Sequence, residues 1–216
     1  MKRALLAVAL LVPIAAAQAD PSEQVARRMR DLEKRLETAP GDGRAWLELG
    51  RMLERIGDLE RAQQYLARAR ELGAEPGLAL PALVRISLAL EDYRAATHWG
   101  EALDATLRPG CGQAHHGAKR DEACRRLGET RVMLAELADA MGDATAARDL
   151  LEAAIRAHAT QADAYATLAH LQRTRFGNRA AARAVLERGI SALGTDPRAE
   201  PLQQALLQVT DEEDRP

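Results

Sequence analysis

The most constraining feature of the sequence is a turn pair that recurs at a regular spacing. Gly57-Asp58 is followed by Glu91-Asp92, Gly142-Asp143 and Gly177-Asn178, at steps of 34, 51 and 35 residues. The step of 51 equals one period of 34 plus an insertion of 17. A period of 34 with a turn at the middle of each unit is typical of stacked helical hairpins. The pattern therefore predicts a solenoid, a fold that presents an extended surface for binding.

The composition favours an all-α fold. Only 3% of the residues are aromatic, and most Gly and Pro fall between the amphipathic segments rather than within them. No run alternates Val, Ile or Thr with polar residues as a half-buried strand does. We therefore predict an all-α, right-handed solenoid of about four helical hairpins, with a capping helix at each end.

The first residues have the features of a secretory signal peptide. A basic start at 2–3 precedes an apolar run at 4–17, and Ala-Gln-Ala at 17–19 offers the small residues that a signal peptidase recognises. The run is shorter than the roughly 20 apolar residues that span a bilayer. We expect cleavage between Ala19 and Asp20, no membrane span afterwards, and a periplasmic or secreted protein. An uncleaved membrane anchor is the alternative.

The charge balance and the missing motifs exclude several classes of function. Removal of residues 1–19 leaves 28 basic and 32 acidic residues, a formal net charge of −4. A nucleic-acid-binding chain needs a strongly basic face, so we expect no nucleic-acid partner. No phosphate-binding loop, nucleophile elbow or zinc-protease motif occurs in the sequence. We therefore expect neither an enzyme nor a cofactor. The abundance of Ala and Arg is typical of GC-rich bacterial genes.

Amphipathic periods and turn residues divide the mature chain into consecutive units. Residues 20–42 are predicted to form an N-terminal capping helix and a linker, and residues 43–195 the solenoid. A C-terminal capping helix and an acidic tail are predicted at 196–216, because stacked repeats need polar caps. The repeats and the inserted loop within the solenoid are placed at 43–76, 77–109, 108–124 (the loop), 128–161 and 162–195.

One segment of the first repeat has a more specific pattern. Trp46, Leu49, Gly50 and Leu53 have the spacing Trp-x2-Leu-Gly-x2-Leu, and apolar residues follow at fixed offsets in the second helix. The residues at those offsets are Ala62, Leu66 and Ala69. This pattern resembles the tetratricopeptide repeat (TPR), which is a pair of antiparallel helices. The resemblance covers about 43–195 in weaker form, and it implies a domain that binds proteins or peptides.

A second resemblance covers residues 31–51 alone. The segment begins with Asp31-Leu32-Glu33 and ends with Leu49-Gly50-Arg51, with Pro40 and Trp46 between them. It looks like the entry to the TPR region of bacterial cytochrome c maturation proteins, which hold unfolded apocytochrome for haem attachment. Two hypotheses of function follow. The first is an exported adaptor in cell-envelope assembly or secretion, and the alternative is a periplasmic chaperone for apocytochrome c.

The TPR resemblance also implies which residues line a binding groove. In TPR proteins the first helix of each hairpin lines the concave face. The corresponding residues here are Arg44, Leu47, Arg51, Arg55, Leu78, Arg85, Leu88, Glu129, Val132, Glu136, Asp139, Asp163, Ala166, His170 and Arg173. Such a groove is basic at its N-terminal end and acidic further on, so it favours a monomeric adaptor that binds a segment of opposite polarity. The alternative is that these charges only solvate a helix face.

The inserted loop contains the only two cysteines, Cys111 and Cys124. An exported protein with one cysteine pair usually forms a disulfide bond. The alternative is a metal or haem carrier that uses Cys111, His115, His116 and Cys124, since thiolates and imidazoles suit zinc or copper. The spacing fits no established zinc pattern, and the haem-attachment motif Cys-x-x-Cys-His is absent. We therefore predict a disulfide bond and no metal.

Overall fold

The structure, a computed structural model, describes residues 21–112 and 117–213. The predicted signal peptide at 1–19 lies outside these residues, as do His115 and His116 of the alternative metal site. Within the described ranges the chain forms ten α-helices and no strand. They are α1 (Pro21–Thr38), α2 (Gly43–Ile56), α3 (Leu59–Glu71), α4 (Pro76–Ala89), α5 (Tyr93–Leu107), α6 (Ala118–Ala140), α7 (Ala144–Ala157), α8 (Ala162–Thr174), α9 (Arg179–Leu193) and α10 (Glu200–Glu213). None of them is long and apolar enough to cross a membrane.

The helices form four antiparallel hairpins that stack in chain order. The pairs are α2 with α3, α4 with α5, α6 with α7 and α8 with α9, while α1 packs on α2 and α10 packs on α8 and α9. The first helices also contact one another across neighbouring hairpins. Helix α2 contacts α4, and α6 contacts α8. They therefore form the inner side of the stack. The predicted all-α hairpin solenoid is confirmed.

The recurring turn pair forms because its two residues have different roles. The first residue leaves the helix in the left-handed backbone conformation that glycine adopts without strain. Its φ is 85° at Gly57, 87° at Gly142 and 63° at Gly177. The second residue caps the next helix, because its side-chain oxygen accepts from a backbone N–H of the first turn. These bonds run from Arg61 N to Asp58, Ala95 N to Asp92, Ala146 N to Asp143 and Ala181 N to Asn178.

Glu91 is the exception among these turns, and it provides a test of the turn chemistry. It is the only non-glycine residue with a positive φ in the described part of the chain, at 56°. We expect Glu91→Gly to raise the free energy of unfolding by about 0.5–1 kcal/mol, because a Cβ in this conformation is strained. Chemical denaturation measures the change. Gly142→Ala is the matched control and is expected to lower stability by about 1 kcal/mol. Equal effects of the two variants would contradict this explanation.

Close packing within the first hairpin explains why a glycine occupies its centre. A Cβ built on Gly50 would lie 2.8 Å from Leu66 Cγ and 3.2 Å from Leu66 N. Leu66 is fully buried, so it has little room to move away. The small residue therefore sets the distance between α2 and α3.

The apolar core is divided along the stack. One large cluster joins α1 to α4 and includes Leu49, Leu53 and Leu66. A second joins α6 to α10 and includes Leu151 and Leu168. Between them, where α5 packs on α6, only two small clusters occur among the described residues, one around Leu80, Leu103, Leu107 and Leu127 and one around Ala96, Leu134 and Leu137. We call this contact between α5 and α6 the central joint.

The inserted loop lies at the central joint. A short 3-10 helix at Arg108–Cys111 continues α5, and α6 begins at Ala118 and runs for 23 residues, which makes it the longest helix described. A disulfide bond joins Cys111 to Cys124, with 4.6 Å between their Cα atoms. Both sulfur atoms are used in this bond, so neither is a thiolate ligand for the alternative metal site. No group of three metal-ligating side chains occurs in the part of the chain that the structure describes.

A buried ion network also crosses the central joint. The Asp104 side chain on α5 is 10% exposed and accepts from Arg131 Nε on α6 at 2.7 Å and from Arg108. Arg131 also donates from Nη1 to the Ala153 carbonyl on α7 at 2.9 Å. Burial disfavours the charged carboxylate, but the hydrogen bonds from Arg108 and Arg131 outweigh it and hold the pKa of Asp104 below its usual value. The network thus joins three helices where the apolar core is thin.

Candidate peptide-binding groove

The inner side of the stack contains a large cleft at its N-terminal end. It lies between α1, α2 and α4 and has a volume of about 900 Å³. Six of the predicted groove residues line it, namely Arg44, Leu47, Arg51, Arg55, Leu78 and Arg85. Arg44, Arg51 and Arg55 fall seven and four residues apart, so they share one face of α2. Arg35, Glu48, Glu54 and Glu75 also line it, and we call the whole cavity the N-terminal cleft.

The N-terminal cleft has an excess of positive charge. Five Arg and three Glu line it. Glu54 accepts from Arg85 at 2.8 Å, and Glu48 accepts from Arg28 at 2.8 Å. Within residues 21–112 and 117–213, no side chain forms an ion pair with Arg44, Arg51 or Arg55. These three guanidinium groups are therefore available to a ligand.

The pKa of Glu48 reflects this positive field. The hydrogen bond from Arg28 lowers it most, burial opposes the shift, and the charges of Arg28, Arg35 and Arg55 lower it further. Of these groups, Arg35 and Arg55 line the cleft, so their charges also act on a carboxylate placed there. The chemistry of the N-terminal cleft therefore favours acidic groups of a partner.

A smaller apolar cleft lies in the middle of the inner side. It has a volume of about 230 Å³ and is lined by Pro81, Val84, Leu103, Leu107 and Met133, with polar groups at its rim. None of these five residues is among the predicted groove residues, which lie at other positions of the first helices. Leu103 and Leu107 lie at the end of α5, the second helix of its hairpin. α5 has 15 residues, as α9 has, so its length gave no signal for them.

The C-terminal half of the groove is divided into two neighbouring clefts, one with an excess of acids and one lined by two acids and two arginines. Glu136, Asp139, Ala166 and His170 line one of about 470 Å³ between α6 and α8. Glu129, Asp163 and again Ala166 line the other, of about 300 Å³, between α6, α8 and the start of α10. All six are predicted groove residues. The structure brings them together in two clefts that share Ala166.

The acids of this half differ in how far they are neutralised. Asp139 accepts from Arg175 Nε at 2.7 Å, and Glu129 is paired with Arg125. Glu136 has no ion pair with the described residues, and its pKa is raised, first by burial and then by the charge of Asp163. A cation near Glu136 and Asp163 would relieve both effects. The two halves of the groove therefore have opposite electrostatic preferences.

The remaining predicted groove residues have other surroundings. Leu47 and Val132 are each 7% exposed and belong to the two large core clusters, although Leu47 also forms part of the N-terminal cleft. Leu88 is half-buried and packs against the small cluster around Leu134 at the joint. Apolar side chains at these positions gain more from burial than from facing the solvent. Arg173 lines a shallow cleft next to α10.

Comparison with known proteins identifies the repeat. Residues 43–72, which form α2 and α3, match the family model for the tetratricopeptide repeat. Residues 43–72 therefore form a tetratricopeptide repeat. This match lies in the repeat whose residues showed the most specific pattern, and the TPR resemblance is confirmed. No curated protein matches the sequence.

Solved structures show that the whole solenoid has the TPR fold. A TPR protein with an unusual peptide-binding site, YrrB, has a TM-score of 0.58 at 16% identity, with 85% of each chain covered. MamA has a TM-score of 0.57 at 16% identity, covering 79% of this chain and 90% of that one. BtubC from P. vanneervenii has a TM-score of 0.52 at 14% identity, covering 90% and 93%. At these identities the likeness concerns the fold alone.

Proposed function

We propose that this TPR solenoid is an exported adaptor that binds a protein or peptide segment along its inner groove, in bacterial cell-envelope assembly or secretion. The observation that carries the proposal is the set of three arginines in the N-terminal cleft, Arg44, Arg51 and Arg55, which have no ion pair within the described ranges. Arginine without a partner on one face of a helix is a recognition element for carboxylates.

The charge and polarity of the groove change along its length, and they specify which residues a partner segment needs at each place. Acidic groups fit the N-terminal cleft, an apolar side chain fits the cleft around Leu103 and Met133, and basic groups fit the acids near Glu136 and Asp163. Complementary charges at the two ends steer the approach and fix the register, while the apolar anchor adds affinity. The similar fold of YrrB, whose structure has a peptide-binding site, supports this use of the groove.

Export is supported by two features of the chain. The basic and apolar pattern of residues 1–19 fits a signal peptide, and a disulfide bond is typical of an oxidising compartment. A passive scaffold needs no catalytic group, and we propose binding rather than catalysis as the activity. The adaptor acts as a single chain, because its caps cover both ends of the stack.

The groove proposal predicts that charge reversal in the N-terminal cleft removes binding. The probes are 15-residue peptides in which an acidic segment, a leucine and a basic segment follow one another in either order, with scrambled peptides of the same composition. We expect one order to bind at least ten-fold more tightly than its scramble in fluorescence anisotropy. Arg51→Glu combined with Arg55→Glu should weaken that binding at least ten-fold, because attraction becomes repulsion.

The matched control places the same charge reversal on the outer side. Arg68 and Arg94 lie on the second helices α3 and α5 and are exposed. Arg68→Glu with Arg94→Glu changes the net charge equally and should leave binding within about two-fold. Equal losses in both double variants would indicate non-specific charge attraction and contradict the groove as the site. Similar affinities for the ordered and scrambled peptides would do the same.

A further inference from the structure

We propose that the N-terminal cleft binds an acidic α-helix of the partner, which lies alongside α2. This inference rests on the proposed function of the groove, and it names the kind of segment that occupies the basic end. Three observations carry it: the spacing of the arginines on α2, the pairing of α1 with α2, and an exposed leucine on the opposite wall of the cleft.

The unpaired arginines form a straight row along α2. Arg44, Arg51 and Arg55 are seven and four residues apart. On an α-helix this spacing places them within an arc of about 40°, with steps of about 10.5 Å and about 6 Å between them along the axis. The row is therefore about 16 Å long and follows the helix from its first turn to its last.

A partner helix matches this spacing, whereas an extended segment does not. Side chains on one face of a strand repeat at about 6.7 Å, which fits the shorter step, but neither one nor two such repeats fit the longer step. A helix alongside α2 has the same rise and the same turn as α2. Its carboxylates meet all three arginines when they lie at positions i, i+4 and i+11 of an antiparallel helix, or at i, i+7 and i+11 of a parallel one.

The packing of α1 on α2 shows how a helix alongside α2 pairs with charges spaced in this way. Arg28 donates to both carboxylate oxygens of Glu48, at 2.8 and 2.9 Å, and Arg35 pairs with Asp42 before the first turn of α2. The order of these contacts is reversed between the two segments, so α1 runs antiparallel to α2. An acidic helix against the arginine row would make the same kind of contacts with the signs exchanged.

The cleft selects an acidic helix because most of the acids around the row are already paired. Glu54 is the other acid of α2, and it accepts from Arg85 of α4 at 2.8 Å. Among the acids that line the cleft, Glu75 is the one that forms no ion pair within residues 21–112 and 117–213. Three unpaired arginines and one unpaired glutamate leave an excess of two positive charges. A neutral or basic helix would therefore gain no attraction from the row.

The opposite wall of the cleft adds an apolar contact. Leu78 on α4 is 42% exposed and lines the cleft. A partner helix with a leucine between its acids, turned toward α4, covers Leu78 and removes apolar surface from water. A helix about 10 Å across and about 16 Å long has a volume of about 1,300 Å³. The cleft of about 900 Å³ therefore holds such a helix with its outer side in solvent.

The test compares helical peptides that differ only in the positions of their acids. Two 16-residue peptides, each fixed as a helix by a lactam bridge on its outer side, carry one leucine and three glutamates at the antiparallel or the parallel spacing. A control peptide with the same composition and bridge distributes the glutamates over three faces of the helix. We expect one of the two peptides to bind the full chain at least ten-fold more tightly than the control in fluorescence anisotropy.

A fourth peptide tests the helical conformation itself. It has the sequence of the tighter peptide without the bridge, and two prolines replace residues that do not face α2. Proline prevents the helix but keeps the charges, so this peptide should bind at least ten-fold more weakly. The same unbridged peptide without proline should gain helical circular dichroism when the protein is added.

Arg44 is the decisive position in the protein, because it lies about 10.5 Å from Arg51 along α2. An extended segment that crosses α2 at Arg51 and Arg55 does not depend on it. Arg44→Gln and Arg55→Gln should therefore each weaken the binding of the bridged peptide at least three-fold. Arg156→Gln removes an exposed arginine of α7 and should leave the binding unchanged. Equal binding of the control peptide or of the proline peptide, no dependence on Arg44, or no binding of either bridged helix would each overturn the inference.

The helix inference and the groove proposal fail separately. If the proline peptide binds as tightly as the bridged helices and its binding requires Arg51 and Arg55, the groove proposal stands and the helix inference is wrong. If a bridged helix binds as expected but a basic segment added to it gains no affinity from Glu136 and Asp163, the helix inference stands and the extended groove is wrong.

Discussion

Replacing Asp104 with alanine is expected to lower the free energy of unfolding by about 3 kcal/mol. The carboxylate is the shared acceptor of Arg108 and Arg131, and its loss leaves the Arg131 guanidinium, only 16% exposed, without its anion. Removing one partner of a buried ion pair typically costs about 3–5 kcal/mol, and the partial exposure here places the effect at the lower end. Chemical denaturation followed by circular dichroism measures the change. Glu187→Ala breaks an exposed pair with Arg183 and should cost less than about 0.5 kcal/mol.

The pH dependence of the Asp104 effect provides an independent check. The folded-state pKa lies below the unfolded value of 3.8, so the folded state holds its proton less tightly than the unfolded state. The contribution is fully present above the unfolded pKa and is lost as the pH falls through the folded one. The stability difference between wild type and Asp104→Asn should therefore be constant from about pH 5 to 8 and shrink below about pH 4. A difference that grows on acidification would contradict this assignment.

Removal of the disulfide bond is expected to have an effect of similar size. Closing a loop of this length restricts the unfolded chain by about 3 kcal/mol. The bond also covers the apolar cluster around Leu103, Leu107 and Leu127, against which Cys111 packs, and Cys124 is itself 7% exposed. We expect the double variant Cys111→Ala with Cys124→Ala to unfold at a correspondingly lower denaturant concentration.

Reduction with dithiothreitol and the double cysteine variant serve as controls for each other. Dithiothreitol should lower the free energy of unfolding of the wild type by as much as the double substitution does, and it should leave the double variant unchanged. Intact mass of protein purified from a periplasm should begin at Asp20 and be two hydrogens lighter than the reduced chain. Two free thiols in that sample, or a double variant as stable as wild type, would contradict the prediction.

Both effects act at the same place in the fold. The Asp104 network and the disulfide bond cross the central joint, where the core is reduced to two small clusters. The basic half of the groove lies on one side of this joint and the acidic half on the other. In a stack of repeats, stability depends on the contacts between neighbours, so a weaker joint uncouples the two halves. Loss of either feature should therefore also weaken a peptide that bridges both halves more than a peptide that contacts only one.

The sequence by itself determined the repeat and the turns. Gly57 and Gly142 follow the ends of helices, and Gly177 lies in the turn after α8. Asp58, Asp143 and Asn178 start the next helices. These roles depend on local backbone conformation and on one side-chain bond. The 34-residue period then predicted the stack, since it records the length of one hairpin. The TPR resemblance implied that the arginines of α2 line the groove, and their spacing of seven and four residues puts Arg44, Arg51 and Arg55 on one face of the helix.

Only the tertiary structure decided how the hairpins meet. The pairing of Asp104 with Arg131 spans 27 residues, and the approach of Gly128 to Gln161 joins two helices whose spacing the local pattern does not specify. The apolar cleft in the middle of the groove and the burial of Leu47 and Val132 follow from these contacts. Local sequence sets backbone conformation and helix faces, whereas burial and polar partners depend on which distant side chains arrive, and that is fixed only when the stack has closed.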